Sequence, residues 1–240
     1  MQPTIRALFS GFSRIGDDPE QLRSVVVGVF GLAALLALPA SVGVYVLAEP
    51  IVLVLLGAKW IGAVPLLQAI AGFGALHAFL APVGILSLAT GMARFVIGLT
   101  FVNAIIAIPT FAILLNRTNL VSATIALLAI GFLCGLINLL VAMRRVSVSA
   151  DCLWKGVWRP ALGVLVMSGI LQYASTPGWS TAEGSLTQFG RMVGMVALGA
   201  LTYICTVGML WTVAGRPDSA ERHVVKVAGA MMRRVAPRAP

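Results

Sequence analysis

The chain has 240 residues, of which 59% are hydrophobic and only 10% are charged. A soluble domain carries about 25% charged residues, so this composition excludes an ordinary water-soluble globular domain. The formal net charge is +9, but the basic residues stand beside apolar stretches. There they act as topology signals and as partners of anionic membrane lipids, which argues against a nucleic-acid partner.

The first predicted element is an apolar helix that follows a charged turn. Residues 1–15 are too short and too interrupted to cross a bilayer, and they indicate an interfacial segment or the end of a preceding part. Asp17 or Asp18 is the expected N-cap, with Pro19 at the first helical position. The uncharged run 24–47 follows, and it is long enough to cross a bilayer, which needs about 20 apolar residues.

The same scheme repeats along the chain and predicts an all-α polytopic membrane protein with about six transmembrane helices. The predicted spans are 24–47, 63–90, 95–115, 120–143, 160–174 and 189–213. The fifth is the weakest because it is short. Pro39 lies inside the first span, where a neighbouring group or a water must satisfy the carbonyl that proline leaves free.

The connections between the spans are expected to be polar. A loop with Glu49 and Lys59 follows the first span, and a very short turn at 91–94 makes the second and third spans a tight hairpin. The turn 116–119 joins the third span to the fourth. Polar connections are expected at 146–159 and 175–188.

The basic residues predict the orientation. When successive loops are assigned to opposite sides of the membrane, 14 Lys and Arg lie on one side and 3 on the other, which together are the 17 of the chain. This asymmetry predicts that both termini are cytoplasmic. The chain is then divided into a lead-in loop (1–23), a six-helix transmembrane domain (24–213) and a basic cytoplasmic tail (214–240). The tail is either an amphipathic helix on the inner leaflet or a solvated segment.

Residues for catalysis are scarce. No phosphate-binding loop or metal-ligand spacing occurs, and Cys134, Cys152 and Cys205 show no disulfide or metal pattern. The only histidines are His77 and His223, so no Ser/His/Asp set can be assembled. We therefore expect no enzyme and no cofactor.

A few polar residues lie within the predicted spans. Intramembrane polar residues often face a bundle interior, so the residues predicted to line a substrate cavity are His77, Gln68, Asn103 and Asn138. The alternative is that they only hydrogen-bond neighbouring helices together, as other polar groups such as Ser87 and Thr100 can. No acidic or basic residue lies at the centre of a span, although Arg191 is near the start of the sixth.

The N-terminal part of the chain carries a recognisable set of motifs. They are FSRIGDDPEQLR, ALPA within the first span, LAEPIVLVLLGAKWIGAVPLLQ and the turn ATGMAR. Together they resemble the Wzx- and WzxC-type lipopolysaccharide/polysaccharide flippases of the MOP (multidrug/oligosaccharidyl-lipid/polysaccharide) superfamily. The likeness is strongest over residues 9–94 and is looser up to residue 160.

The resemblance implies a function. Members of this family have two lobes of transmembrane helices around a central cavity, and they move undecaprenyl-linked oligosaccharide across the bacterial inner membrane. The present chain matches their C-terminal portion, so we expect it to be incomplete without N-terminal helices or a separate N-terminal half. Alternatives are a non-transporting structural subunit and an enzyme of lipid-linked glycan assembly. The enzyme ranks last because the loop 175–188 holds only one acid, Glu183.

Overall fold

A computed structural model of the chain describes residues 19–146, 150–175 and 185–213. Within these ranges all regular elements are helical, which confirms the all-α fold class. The elements are α1 (Pro19–Val46), α2 (Ala48–Leu55), a short 3-10 helix (Ala58–Ala63), α3 (Val64–Ala89), α4 (Ala93–Arg117), α5 (Leu120–Val146), α6 (Ala150–Ser175) and α7 (Ser185–Val213). The predicted N-cap, the interfacial segment and the basic tail lie outside the described residues.

Five segments in the described part of the chain are long and apolar enough to cross a membrane, which confirms a polytopic membrane protein. They are Val26–Val46, Ala58–Leu88, Ala93–Arg117, Leu120–Arg145 and Thr187–Val213. The predicted fifth span, 160–174, belongs to α6, which is not among the five. Helix α6 has 26 residues, about 39 Å at 1.5 Å per residue, but its first ten residues include Asp151, Lys155 and Arg159.

Two of the predicted polar connections are helical in part, and the loop predicted over 175–188 is wrong at its end for this reason. Residues 150–159 form the beginning of α6, and 185–188 form the beginning of α7. A helix satisfies its own backbone hydrogen bonds at any depth, whereas an open loop near hydrocarbon does not. Charged residues near a span are therefore compatible with helix, and here the helix continues through them.

The connection after α1 is also helical rather than an open loop. Pro50 has no N–H for the carbonyl of Val46, so the helix is interrupted at Leu47 and resumes as α2. Helix α2 ends at Leu55, and the turn after it is closed by Gly57, whose φ is 88° and whose N–H donates to the Val52 carbonyl at 3.0 Å. Glycine is favoured there because other residues rarely adopt a positive φ.

The turn between α3 and α4 is as short as predicted, and its hydrogen bonds explain why. Gly91 has a φ of 75°, its N–H donates to the Leu88 carbonyl, and the Met92 N–H donates to the Ser87 carbonyl at 2.8 Å. This is the Schellman ending of a helix, closed by the burial of Met92. The two helices do not pack as a hairpin, however, because α3 lies along α1 and α5 and makes little contact with α4.

The turn between α4 and α5 is also formed as predicted. Asn119 caps α5, since its Oδ1 accepts the Ser122 N–H at 2.9 Å, as an N-cap residue does. The hydroxyl of Thr118 donates back to the Leu114 carbonyl at the end of α4. Side chains therefore bond to backbone groups at the end of α4 and at the beginning of α5, and the connection needs no further residues.

The long helices contact one another in the order α4, α5, α3, α1, α6, α7, with α1 central. Two apolar clusters hold this arrangement. The first joins the beginning of α1 to α3 and α5, and it includes an edge-to-face pair between Phe30 and Phe79 with ring centroids 5.2 Å apart. The second joins the end of α1 to α6 and α7. Because α1 belongs to both, it connects the two halves of the bundle.

Candidate functional site

The four residues predicted to line a cavity do not meet in one place. Gln68 and His77 lie nine residues apart on α3, and Ser87, the partner of Asn138, follows ten residues later. These separations correspond to about 13 Å and about 15 Å along a helix. The polar groups therefore form three levels along α3, near its beginning, its middle and its end.

The middle level brings together two of the predicted residues, His77 on α3 and Asn103 on α4. Both approach Gly131 of α5, where a Cβ atom would lie 3.1 Å from His77 Cε1 and 3.8 Å from Asn103 Nδ2. His77 Nε2 lies 3.3 Å from the carbonyl oxygen of Leu128. The missing side chain at Gly131 thus makes room for the histidine ring between the helices.

The chemistry of this contact restricts the imidazole. A carbonyl oxygen only accepts hydrogen bonds, so the contact with Leu128 requires the proton on Nε2. The side chain of His77 is exposed on the described helix bundle and that of Asn103 is half-buried. Polar groups are costly against hydrocarbon, so this surface at mid-helix suits contact with water or with other polar groups.

The level near the end of α3 is a hydrogen bond between two buried side chains. The Ser87 hydroxyl donates to Asn138 Oδ1 at 2.9 Å, and the two residues are 0% and 8% exposed. The bond ties α3 to α5 beside Leu86 and Leu139 of the first apolar cluster. Its burial favours the helix-bonding alternative for Asn138 over contact with a substrate.

The level near the beginning of α3 is an open groove between α1, α3 and α5, beside Gln68. Its volume is about 400 Å³, and it is lined by Tyr45, Pro65, Gln68, Ala69, Gly72, Phe73, Leu76, Val121 and Ile125. Tyr45 is 44% exposed. An amide and a phenol can both donate and accept hydrogen bonds, so the groove can bind a hydroxyl-bearing ligand through Gln68 and Tyr45.

A second groove, of about 430 Å³, lies on the other side of α1, between α1, α2, α6 and α7. It contains a buried hydrogen bond that the sequence did not reveal: the hydroxyl of Tyr203 donates to the Leu35 carbonyl at 2.8 Å. Leu35 stands four residues before Pro39, so its carbonyl is the one that proline leaves free. The expectation that a neighbour satisfies this carbonyl is confirmed.

A buried charge is the other feature that sequence reasoning missed. Arg159 was expected in a polar connection, but it lies within α6 and is only 7% exposed. Its guanidinium carbon is 5.5 Å from the ring centroid of Trp158, a distance at which a cation and an aromatic face attract. In the sequence, the only indication that Arg159 is buried is its place between Trp158 and Pro160.

Metal-binding clusters are absent from residues 19–146, 150–175 and 185–213, since no group of three or more His, Cys, Asp or Glu could hold an ion there. Cys134 and Cys205 are free thiols. The features of the described part that can act on a ligand are therefore the polar groups along α3, the grooves on either side of α1 and the buried guanidinium of Arg159.

Comparison with known proteins connects this architecture to a biological process. Residues 1–65 match the family described as polysaccharide biosynthesis protein. The chain is similar to proteins of polysaccharide biosynthesis. This confirms the resemblance drawn from the sequence motifs.

Two relatives extend the similarity. An uncharacterized membrane protein in the cps region of Klebsiella pneumoniae is 33% identical over 138 residues, which are 57% of this chain and 27% of that protein. The lipopolysaccharide biosynthesis protein WzxC of Escherichia coli (strain K12) is 32% identical over 84 residues, 35% of this chain and 17% of that protein. The chain thus spans about a quarter of the first relative's length. No solved structure matches.

Proposed function

We propose that the chain is part of a transporter that flips lipid-linked oligosaccharide across the bacterial inner membrane during exopolysaccharide or lipopolysaccharide synthesis. The observation that carries this is the similarity of its N-terminal region to polysaccharide biosynthesis proteins, found in a bundle of membrane-length helices. The substrate is an oligosaccharide on an undecaprenyl-type carrier. The role is transport, without an enzymatic step and without a cofactor.

The chain works with further transmembrane helices, carried either on a longer chain or on a separate N-terminal half. Support comes from its coverage of only 27% of the Klebsiella relative. The surface of His77 and Asn103 would face those helices or the cavity between the two parts. Alternating access between two lobes then exposes the cavity to each side in turn.

The proposed topology has six crossings, with both termini in the cytoplasm. Helix α6 is the additional crossing. Gly156, near the beginning of α6, lies against Val27 and Gly31 in the first half of α1. Leu171, near the end of α6, belongs to the same apolar cluster as Leu47, which follows the end of α1. Helices α1 and α6 therefore run in the same direction. With successive helices crossing in opposite directions, α6 must cross the membrane between α5 and α7. The proposed division remains a lead-in loop (1–23), a six-helix transmembrane domain (24–213) and a cytoplasmic tail (214–240).

The second candidate is a structural membrane subunit without transport. The buried bond between Ser87 and Asn138 favours it, because this polar pair is used entirely for helix contact. The two candidates differ in what they require at mid-helix. A transporter needs the exposed polar surface of His77 and Asn103, whereas a structural subunit tolerates its replacement.

The test is complementation in a strain that lacks its flippase and accumulates lipid-linked oligosaccharide. The chain is expressed alone and together with the N-terminal helices of the Klebsiella relative, and membrane insertion is checked by immunoblotting. We expect export only with the partner, and loss of export in Asn103→Ala or His77→Ala. The matched control is Thr110→Val on α4, whose exposed hydroxyl bonds only its own helix, at the Ile106 carbonyl.

The outcomes separate the two candidates. Unchanged export in Asn103→Ala and His77→Ala would show that this surface has no role in transport. Inserted protein that restores no export with the partner would overturn the transporter and support the structural subunit. Export by the chain alone would contradict the requirement for further helices.

A further inference from the structure

We propose that residues 40–47, at the end of α1 and the break that follows it, form a hinged segment, and that the Tyr203 hydroxyl of α7 is the latch that holds it. The segment lies between two prolines that each remove a backbone hydrogen bond, Pro39 and Pro50. It faces free volume toward α7. The latch concerns the conformation of α1 within this chain and stands apart from the proposed transport function.

The first step is the broken backbone ladder on both sides of the segment. Pro39 has no N–H for the carbonyl of Leu35, and Pro50 has none for the carbonyl of Val46. At the second break the helix is interrupted at Leu47, with φ −93° and ψ 15°. Helix deformations concentrate at prolines, so the residues between the two breaks can rotate as one short unit.

The second step is the free volume beside the segment. Ala40, Gly43, Val44 and Leu47 all line the groove of about 430 Å³ that separates α1 from α7. Gly43 has no atom within 4 Å of the position that a Cβ would take. The segment therefore has open space beside Gly43 on its α7 side, while Val42, Val46 and Leu47 anchor it to the second apolar cluster.

The third step is the latch itself. Tyr203 is 8% exposed, and its hydroxyl donates to the Leu35 carbonyl at 2.8 Å across 168 residues of sequence. It replaces the donor that Pro39 lacks, at the upstream edge of the segment. Tyr203 is held in turn by Gly163 of α6, where a Cβ would lie 3.1 Å from the ring. Three helices are thus fixed at one carbonyl.

The consequence is a two-state device. With the bond formed, α1 is fastened to α7 and the groove keeps its present width. With the bond broken, the Leu35 carbonyl has lost its donor in an apolar environment, and the segment is free to bend at Pro39. A buried carbonyl without a partner is unfavourable, so the latched state is preferred and the open state is a minor population.

The experiment is amide hydrogen exchange by mass spectrometry on the full chain in lipid nanodiscs. Peptides covering 40–47 are compared with peptides of α5 as an internal reference. Hydrogen bonds between membrane helices have effects that correspond to roughly a three- to twentyfold change in an equilibrium. We therefore expect Tyr203→Phe to raise exchange in 40–47 by that factor, and to leave α5 unchanged. The matched control is Tyr173→Phe on α6, which removes the hydroxyl of a tyrosine that is 83% exposed and lies outside 40–47.

The decisive variant is Pro39→Ala, which restores the missing N–H. The alanine introduced by this substitution can itself donate to the Leu35 carbonyl, so Tyr203→Phe in that background should change exchange by less than about twofold. An equal effect of Tyr203→Phe in both backgrounds would overturn the latch, since the hydroxyl would then act through packing alone. If Tyr203→Phe leaves exchange in 40–47 unchanged in the chain that retains Pro39, the hinge is overturned.

A second variant keeps the test decisive if Tyr203→Phe does not fold. Gly163→Ala pushes the tyrosine ring away while keeping its hydroxyl, and circular dichroism and size-exclusion chromatography report whether the bundle is intact. Faster exchange confined to 40–47 supports the latch. An intact Gly163→Ala protein with unchanged exchange in that segment contradicts it.

Discussion

Replacing Gly163 by alanine tests how tightly α6 and α7 pack around Tyr203. A Cβ at this position would lie 2.8 Å from Val207 Cγ2 and 3.1 Å from the Tyr203 ring. Valine has a strongly preferred χ1 and cannot turn away freely, and the tyrosine ring is held by its bond to Leu35. Forcing an extra carbon into a packed site costs about 1–3 kcal/mol, which opposes the gain of up to about 1 kcal/mol from replacing glycine in a helix.

Gly169 provides the matched control on the same helix. A Cβ there would meet no atom within 4 Å, so Gly169→Ala gains the same helix propensity without a clash. The difference in unfolding free energy between the two variants isolates the clash, and we expect about 1–3 kcal/mol in favour of Gly169→Ala. The measurement is reversible unfolding in mixed micelles by titration with sodium dodecyl sulfate, followed by circular dichroism. Equal stability of the two variants would refute the close packing of α6 on α7.

Three further changes have defined outcomes. Gly131→Ala should displace the His77 ring and lower export in the complementation assay, with no further loss when His77→Ala is added, because both changes disrupt one contact; additive losses would contradict this. Ser87→Ala should destabilise the bundle by about 0.6–1.7 kcal/mol in the detergent titration, and Asn138→Ala should add little to it if the two side chains bond only each other. Gly91→Ala should cost about 1–2 kcal/mol because its φ is positive, whereas Gly91→Asn should cost less.

The helices of this chain were predictable where a local signal exists. Uncharged runs of sufficient length located five of the long helices, and the turns at 91–94 and 116–119 were marked by their own residues. The burial of Arg159 was not predictable in this way. Its charge indicates a polar connection when it is considered alone, and only the packing of α6 against neighbours takes the side chain out of solvent.

The candidate site shows the same limit more sharply. The residue types were found correctly as polar groups within spans, but their partners lie 51 residues away in both cases, His77 with Leu128 and Ser87 with Asn138. Periodicity assigns a residue to a face of its own helix and does not say which helix lies opposite. For this reason one common cavity was expected, while the structure has three separate levels.

Pro39 shows how far physical reasoning reaches before the structure is needed. The sequence alone identifies the Leu35 carbonyl as one that lacks its usual donor, and the bilayer requires that some donor replace it. Many hydroxyl, amide and indole groups in the other spans could have served, and nothing local distinguishes Tyr203 among them. Tyr203 makes this bond because Pro39 leaves the Leu35 carbonyl without its usual N–H donor and because Gly163 has no side chain to occupy the place of the tyrosine ring. A change at either position should therefore alter the same bond from opposite sides, Pro39→Ala by making it unnecessary and Gly163→Ala by making it unreachable.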